Sequence, residues 1–185
     1  MIKARDGVKV PVSLIYKKGI SLKDAPLLQY GYGSYGAVIE PSFKLSFMPL
    51  IEQGFIFAIA HIRGGQDLGR NWYDQGRMMN KMNTFFDFID CSKELLKKEI
   101  GNKSKIFAMG GSAGGLLMGA IINLEPSLYK GIVSAVPFVD VLTTMSDESI
   151  PLTTFEYKEW GNPAKKKEYF YIKKYSPYDL SLIHI

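Results

Sequence analysis

Cysteine and histidine are scarce in this sequence, and each scarcity excludes a class of site. Cys91 is the only cysteine among the 185 residues, which rules out an internal disulfide framework and a cysteine-rich zinc site. His61 and His184 are the only two histidines, so few imidazoles are available for acid–base chemistry or for metal binding. We therefore expect neither a bound metal nor a cofactor.

A long apolar run and a strong charge of one sign are also missing. The longest apolar stretches, such as residues 55–62, are far shorter than the roughly 20 residues that a helix needs to cross a bilayer, so we expect no membrane partner. With 46% apolar residues and a net charge of +5, the chain is too apolar and too weakly charged for disorder. Its length and composition indicate one globular domain, or part of one.

The charge pattern says little about partners. Lysine and arginine outnumber aspartate and glutamate by 23 to 18, but the lysines are scattered and no basic stripe is interleaved with aromatic residues. This pattern favours a solvated surface over a nucleic-acid partner. The first ten residues lack an apolar stretch behind a basic start, so they do not resemble a signal peptide, and we expect a cytoplasmic location. The oligomeric state stays open.

Short apolar runs alternate with helical patterns along the chain. Residues 8–16 alternate in polarity and contain a proline, which favours a strand at a sheet edge. Residues 84–100 have one apolar stripe, with Asn83 or Thr84 as the expected cap, whereas residues 116–124 are apolar nearly all round, as in a helix against a buried sheet. The runs typical of strands covered on both faces are residues 27–30, 55–62, 106–109 and 132–136.

This order of segments predicts the α/β fold class, with a doubly wound and mostly parallel sheet. In such a sheet, ligands bind at the carboxyl ends of the strands. Chemically active residues are therefore expected in the segments that directly follow the predicted strands.

A Gly-x-Ser-x-Gly pattern lies between the predicted strand at residues 106–109 and the helix after it. Ser112 is its centre, and Gly110 and Gly114 fit because side chains there would collide with the strand and the helix in a sharp, strained turn. Such a nucleophile elbow exposes the serine hydroxyl and aims the backbone N–H of Ala113 toward a developing oxyanion. Two alternatives are a glycine-rich turn with a solvated serine, and a phosphate loop, although the Gly-Lys-Ser/Thr ending of that loop is missing.

A second glycine cluster follows the first buried strand. Residues 30–36 lie where α/β-hydrolases supply the other oxyanion donor, and a tyrosine hydroxyl can serve in place of a backbone N–H. The alternative is a β-turn whose aromatic residues pack on their neighbours. Residues 63–65 present a similar choice between a substrate-facing loop and a tight exit from a strand.

Several sequence blocks occur together in one order, from about residue 6 to residue 179. They are residues 30–36 (YGYGSYG), 61–65 (HIRGG) with Trp72 after them, 81–87 (KMNTFFD), 110–119 (GGSAGGLLMG), 136–141 (VPFVDV), 147–154 (DESIPLTT) and 159–163 (EWGNP). In content and order they resemble the catalytic domain of the prolyl oligopeptidase family of serine peptidases, in particular its oligopeptidase B branch.

This resemblance implies an α/β-hydrolase fold and a serine peptidase that forms an acyl-enzyme on Ser112. It implies that the Tyr32 hydroxyl and the Ala113 N–H are the oxyanion donors, and that the substrates are short peptides cleaved after Lys or Arg. Glu40 falls on one of two acidic positions associated with the next substrate residue, whereas Ser42 replaces the other.

The acidic positions for the basic side chain of the substrate are matched only in part. Glu156 falls on the first, but Lys158 falls on the second and departs from the family pattern. A lysine beside Glu156 would offset its attraction for a cation, since unit charges about 4 Å apart interact by about 4 kcal/mol at an effective dielectric of about 20. Glu159 would compensate. The residues alone favour an exposed charged loop over 156–159.

The partners that Ser112 needs are missing from the sequence pattern. In α/β-hydrolases an Asp or Glu and then a His follow the serine, and the resembling proteins have both beyond the stretch that matches residues 175–179. His61 precedes Ser112 and is expected to be structural. His184 lies in residues 180–185, which do not follow the family sequence and are interpreted as an artefact.

We therefore predict that residues 1–179 are a partial catalytic domain, incomplete at the C-terminal end of the sheet and without the β-propeller that precedes it in the family. The chain as given is predicted to lack the Asp and His of the triad. Two alternatives remain, namely a different α/β-hydrolase activity such as an esterase, and a catalytically inert chain.

Overall fold

A five-stranded sheet forms the centre of the computed structural model, which describes residues 1–42 and 44–181. The strands are β1 (Ile2–Lys3), β2 (Lys9–Val10), β3 (Val12–Ile15), β4 (Leu27–Tyr30), β5 (Ile56–Ala60), β6 (Ile106–Gly111) and β7 (Gly131–Ala135). The order in the sheet is β3-β5-β4-β6-β7, with β3 antiparallel to β5 and the other neighbours parallel. Strands β1 and β2 form a separate antiparallel pair.

Helices connect the parallel strands and follow the last of them. They are α1 (Met48–Glu52), α2 (Arg70–Asp74), α3 (Met82–Lys97), α4 (Ala113–Leu124), α5 (Val141–Ser146), α6 (Thr153–Trp160), α7 (Lys166–Ile172) and α8 (Pro177–Ser181). Short 3-10 helices occur at Leu45–Phe47 and Met78–Asn80. None of the helices in the described part of the chain is long and apolar enough to cross a membrane.

Helices lie on both faces of the sheet, as the doubly wound prediction requires. On one face, Leu27, Ala58 and Ile106 belong to the main hydrophobic core, which α3 and α4 complete. On the other face, Phe57 packs in a smaller cluster with Ile51 of α1. The alternation of side chains along each strand produces these two clusters, and the predicted fold class, α/β with a mostly parallel sheet, is confirmed.

The strand predictions differ in how well they match the observed burial. Strand β5 is buried at every residue, as its wholly apolar sequence predicts. Strand β7 is different, because Val133 is 52% exposed and no strand in the described part of the chain pairs with its outer edge. The prediction of a strand covered on both faces is therefore wrong for β7. At the opposite edge of the sheet, β3 is an edge strand, as predicted, but Pro11 divides the single strand predicted over residues 8–16 into β2 and β3.

The start of α3 differs from the sequence prediction. The helix begins at Met82, so neither Asn83 nor Thr84 is its cap. The Thr84 hydroxyl is buried and lies 2.8 Å from the carbonyl oxygen of Arg63 and 3.0 Å from that of Gly76. A tertiary contact with the loop after β5 thus takes the hydroxyl that local reasoning assigns to the helix end.

Candidate active site

The carboxyl ends of the four parallel strands meet at one edge of the sheet. The segments that follow them contain Tyr32 after β4, Arg63 after β5, Ser112 after β6 and Phe138 after β7. Tyr32 and Ser112, which are 80 positions apart in sequence, therefore lie at the same edge of the sheet. This is the edge at which open α/β sheets bind their ligands.

Ser112 occupies a strained turn between β6 and α4. Its φ of 55° and ψ of −117° are unusual for a residue with a side chain, and the residue is exposed. Its backbone N–H donates to the carbonyl oxygen of Ala135 at 2.9 Å, which holds the turn against the end of β7. The strain and the exposure together are those of a nucleophile elbow.

The two glycines of the motif are required by contact distances. A Cβ on Gly110 would lie 2.4 Å from the carbonyl oxygen of Gly114, and a Cβ on Gly114 would lie 2.9 Å from that of Gly31. Both distances are shorter than a carbon and an oxygen tolerate. The steric explanation of the glycine spacing is therefore confirmed, and it also places residue 31 directly against the elbow.

Two groups near Ser112 fit the expected oxyanion donors. Ala113 is the first residue of α4, and its N–H has no acceptor inside the helix. The ring of Tyr32 lies beside the elbow, since its Cδ2 would be 3.3 Å from a Cβ on Gly114. Burial raises the pKa of the Tyr32 hydroxyl above its ordinary value, and a polar contact with Ser112 acts in the opposite direction.

A cavity of about 270 Å³ opens beside Ser112 and Ala113. Phe138 and Trp160 belong to its wall, together with residues of the segment that leads into α6, and Glu156 is its acidic group. One carboxylate oxygen of Glu156, Oε2, accepts hydrogen bonds from the Tyr35 hydroxyl at 2.6 Å and from Trp160 Nε1 at 2.9 Å. Among the described residues, no hydrogen bond reaches the other oxygen, Oε1. Trp160 therefore both packs in the wall and positions this carboxylate.

Lys158 and Glu159 lie away from this cavity. All three charged residues belong to α6, and positions i and i+2 of a helix do not face each other. Lys158 is exposed to solvent, whereas Glu159 is buried and accepts from the Tyr35 backbone N–H at 3.0 Å and from the Tyr73 hydroxyl at 2.5 Å. The exposed charged loop that composition favours here is wrong, because the segment is helical.

Glu40 and Ser42 are exposed and lie outside the cavity beside the elbow. Glu40 lines a separate cavity of about 240 Å³, to which His61 and Asp67 also contribute. The structure thus places Glu40 close to the loop after β5 and does not bring it together with Ser112.

His61 is already engaged at both ring nitrogens. Nε2 lies 2.9 Å from Ser13 Oγ and Nδ1 lies 2.8 Å from Asp67 Oδ1, and the residue is only 8% exposed. These contacts fit the expected structural role of His61. His184 lies outside the described residues. Within the described residues, no group of three or more His, Cys, Asp or Glu side chains is arranged to hold a metal.

Lys81 is a buried residue at the site whose importance the sequence analysis missed. Its Nζ donates to the carbonyl oxygen of Gly33 and to Ser34 Oγ, both at 2.7 Å, and lies 3.9 Å from Glu159 Oε1. Burial lowers the pKa of the ammonium group to about 8, while the charge of Glu159 acts in the opposite direction. The only sequence signal was a lysine within one of the matched blocks.

A second buried ion pair fixes the loop after β5. Arg63 donates from Nε and from a terminal nitrogen to the two oxygens of Asp87, at 2.8 and 2.6 Å. Asp87 is fully buried on α3, and Asp6 binds the remaining terminal nitrogen of Arg63 at 2.7 Å. This double contact makes residues 63–65 a rigidly anchored strand exit.

The sheet order and the strained serine turn between β6 and α4 are those of the α/β-hydrolase fold. The comparisons with known proteins give the family. The model of the prolyl oligopeptidase family matches residues 41–182, so the chain belongs to this family of serine peptidases. The resemblance inferred from the sequence blocks is confirmed.

Two relatives show how similar the chain is to other members of the family. It is 56% identical over 178 residues to dipeptidyl aminopeptidase BI of Pseudoxanthomonas mexicana, covering 95% of this chain and 25% of the relative. It is 53% identical over 176 residues to protease 2 of Moraxella lacunata, and this match covers 95% of this chain and 26% of that relative. The chain therefore spans about a quarter of the length of these relatives.

Solved structures agree with the fold. Oligopeptidase B from Trypanosoma brucei, in a closed form with covalently bound antipain, superimposes with a TM-score of 0.93 at 49% identity. Oligopeptidase B from Leishmania major gives a TM-score of 0.93 at 48% identity. Each comparison covers 96% of this chain and 25% of the solved chain.

Proposed function

We propose that the gene product is a serine peptidase of the oligopeptidase B type that cleaves short peptides through an acyl-enzyme on Ser112. The observation that supports this most strongly is the exposed, strained Ser112 with the Tyr32 ring and the Ala113 N–H beside it. These groups are the nucleophile and the donors that acyl transfer requires.

In the proposed reaction, Ser112 Oγ attacks the carbonyl carbon of the scissile bond. The new Oγ–C bond forms as the C=O π electrons move onto oxygen, and Tyr32 and Ala113 donate hydrogen bonds to that oxyanion. The serine proton passes to a base and then to the leaving amine as the C–N bond breaks. Water completes the reaction by hydrolysing the acyl-enzyme.

The base of this reaction is not His61, since Ser13 and Asp67 occupy its ring nitrogens. We therefore assign the base and its orienting carboxylate to a part of the protein outside the described residues, in line with the prediction that residues 1–179 lack both. A base is indispensable to this mechanism, because the hydroxyl of serine is a weak nucleophile at its ordinary pKa.

The proposed substrates have Lys or Arg before the scissile bond. Glu156 supports this proposal, because it is the acidic group of the cavity next to Ser112 and its second oxygen has no hydrogen-bond donor among the described residues. Lys158 is exposed and on another side of α6, so the departure from the family pattern at that position opposes cation binding only weakly. Glu40 and Glu159 are assigned no contact with this basic side chain.

The test is active-site labelling of the full-length gene product with a fluorophosphonate probe. We expect labelling that Ser112→Ala abolishes and that Ser13→Ala leaves unchanged. Tyr32→Phe is expected to slow labelling and peptide hydrolysis by about 10²–10³-fold, the usual cost of losing one oxyanion donor. Labelling that moves to Ser13, or that survives Ser112→Ala, would contradict the proposal.

Substrate choice is tested with an arginine-containing peptide amide and a short-chain ester in the same preparation. Cleavage of the amide supports a peptidase, whereas ester cleavage without amide cleavage would favour an esterase on the same elbow. No labelling at all would favour an inert protein. Cell fractionation with an antibody against the chain tests the cytoplasmic location, which we retain as part of the proposal.

A further inference from the structure

The loop that contains Tyr32 is attached to the rest of the protein by charged groups. Lys81 lies directly before α3, and its side chain is only 1% exposed. Its ammonium group donates to two consecutive residues of this loop, Gly33 and Ser34, each at 2.7 Å. Glu159 accepts from the backbone N–H of the next residue, Tyr35, at 3.0 Å. Three successive residues after Tyr32 are therefore held by one buried cation and one buried anion.

The backbone of this loop needs such an attachment. Gly33 has a φ of 68° and Tyr35 a φ of 58°, the second of which is unfavourable for a residue with a side chain. A Cβ on Gly33 would lie 2.4 Å from Thr84 Cγ2, so the loop lies in close contact with α3. A strained conformation persists only where surrounding contacts enforce it, and Lys81 and Glu159 supply those contacts.

We propose that Lys81 is a positioning residue for the oxyanion hole, which fixes residues 33–35 so that the Tyr32 hydroxyl stays beside Ser112. This inference rests on the proposed role of Tyr32 as an oxyanion donor. Lys81 itself does not touch the substrate, because its three polar neighbours are Gly33, Ser34 and Glu159. Its effect on the reaction passes through the position of Tyr32.

The burial of Lys81 fits a role that needs its charge. A charged group is removed from water here at a considerable cost in solvation, and that burial lowers the pKa to about 8. The side chain therefore remains mainly protonated at pH 7. The ammonium group also lies 4.9 Å from the centroid of the Trp160 ring, whose face attracts cations. An uncharged side chain of the same length would leave Gly33, Ser34 and Glu159 without their partner.

A double-mutant cycle on the full-length gene product tests the inference. The variants are Lys81→Met, Tyr32→Phe and the double variant, with kcat and KM measured on a peptide amide. We expect Lys81→Met to lower kcat by about 10²-fold with KM within about threefold, because only the transition state needs the positioned donor. In the Tyr32→Phe background the same change should lower kcat by less than about threefold. Lys97→Met, at a lysine on α3 whose side chain is 71% exposed, is the matched control and should change neither constant.

Lys81→Met could lose activity simply because it misfolds, so the test includes a milder variant and a measurement that does not depend on activity. Ser34→Ala removes one acceptor with little change in volume and should lower kcat by about threefold to tenfold, again only when Tyr32 is present. Hydrogen exchange should accelerate in residues 31–37 of Lys81→Met, while α4 keeps its protection.

The possible outcomes distinguish the positioning role of Lys81 from the donor role of Tyr32. Equal effects of Lys81→Met with and without Tyr32 would overturn the positioning role while leaving Tyr32 as a donor. No loss of activity in Tyr32→Phe would overturn the donor role, and the inference with it. Unchanged exchange in residues 31–37 of Lys81→Met would refute the attachment of the loop by Lys81, whether or not the protein is active.

Discussion

Neutralising Glu156 should remove most of the preference that we propose for a basic residue before the scissile bond. In the cavity beside Ser112, Glu156 is the acidic group, and Tyr35 and Trp160 hold its Oε2 in place. Glu156→Gln keeps an oxygen for these two donors while removing the charge. The change therefore isolates the electrostatic contribution from the shape of the cavity.

The size of the effect follows from the position of the carboxylate. Two opposite charges about 4 Å apart interact by about 4 kcal/mol at an effective dielectric of about 20, and by about 1 kcal/mol in bulk water. Loss of these interaction energies would lower kcat/KM by about a thousandfold and by about fivefold, respectively. Glu156 is half-buried, so we expect a loss of about 100-fold, between the two limits.

The assay compares two peptide amides that differ only by arginine or citrulline before the scissile bond. Citrulline has nearly the shape of arginine but no charge. We expect Glu156→Gln to lower kcat/KM for the arginine substrate by about 100-fold and for the citrulline substrate by less than about threefold. Lys158→Gln is the control, and its effect should stay below about fivefold, because its charge lies in water. An equal loss on both substrates, or a larger effect at Lys158 than at Glu156, would refute the reasoning.

Three further predictions follow from contacts at the site. Gly110→Ala should abolish probe labelling, because its Cβ would lie 2.4 Å from a backbone oxygen, whereas Gly111→Ala, whose nearest neighbour is at 3.3 Å, should retain most of it. Asp87→Asn should lower the free energy of unfolding by about 3 kcal/mol in a urea titration, because it removes the charge opposite the buried Arg63, and a loss below about 1 kcal/mol would contradict this. The pKa of Lys81 falls from 10.5 in the unfolded chain to about 8 in the folded one, so the unfolded state binds more protons between these values and stability rises with pH there. The difference in unfolding free energy between the wild type and Lys81→Met, measured by urea titration, should shift in favour of the wild type by up to about 3 kcal/mol from pH 7 to pH 10.5. A difference that does not change with pH would exclude a buried charge at this residue.

The backbone of the site could be predicted from sequence because it depends on short-range geometry. Glycines at 110 and 114 and apolar runs before and after them are local signals, and each has one structural explanation. In the structure, a Cβ on Gly110 or on Gly114 would collide with a backbone oxygen, as the glycine spacing implies. The predicted strands consequently end within a few residues of the observed ones.

The side-chain contacts could not be predicted in the same way, because they join residues far apart in sequence. Lys81 lies 48 residues from Gly33, and a lysine is expected at the surface unless its partners are known. The orientations of Lys158 and Glu159 depend on α6, a helix of eight residues whose sequence has no clear apolar stripe. Thr84 likewise contacts Arg63 and Gly76 instead of capping α3.

The convergence of four strand ends at Ser112 also has a consequence for how the site forms during folding. Tyr32 and Ser112 directly follow the neighbouring strands β4 and β6, which are separated along the chain by α1, β5, α2 and α3. Closing such long loops slows folding, and parallel strands cannot pair until their crossovers are in place. We therefore expect Tyr32 to approach the serine late in folding, so that a pair of probes at these two positions would report completion of the sheet during refolding or synthesis on the ribosome.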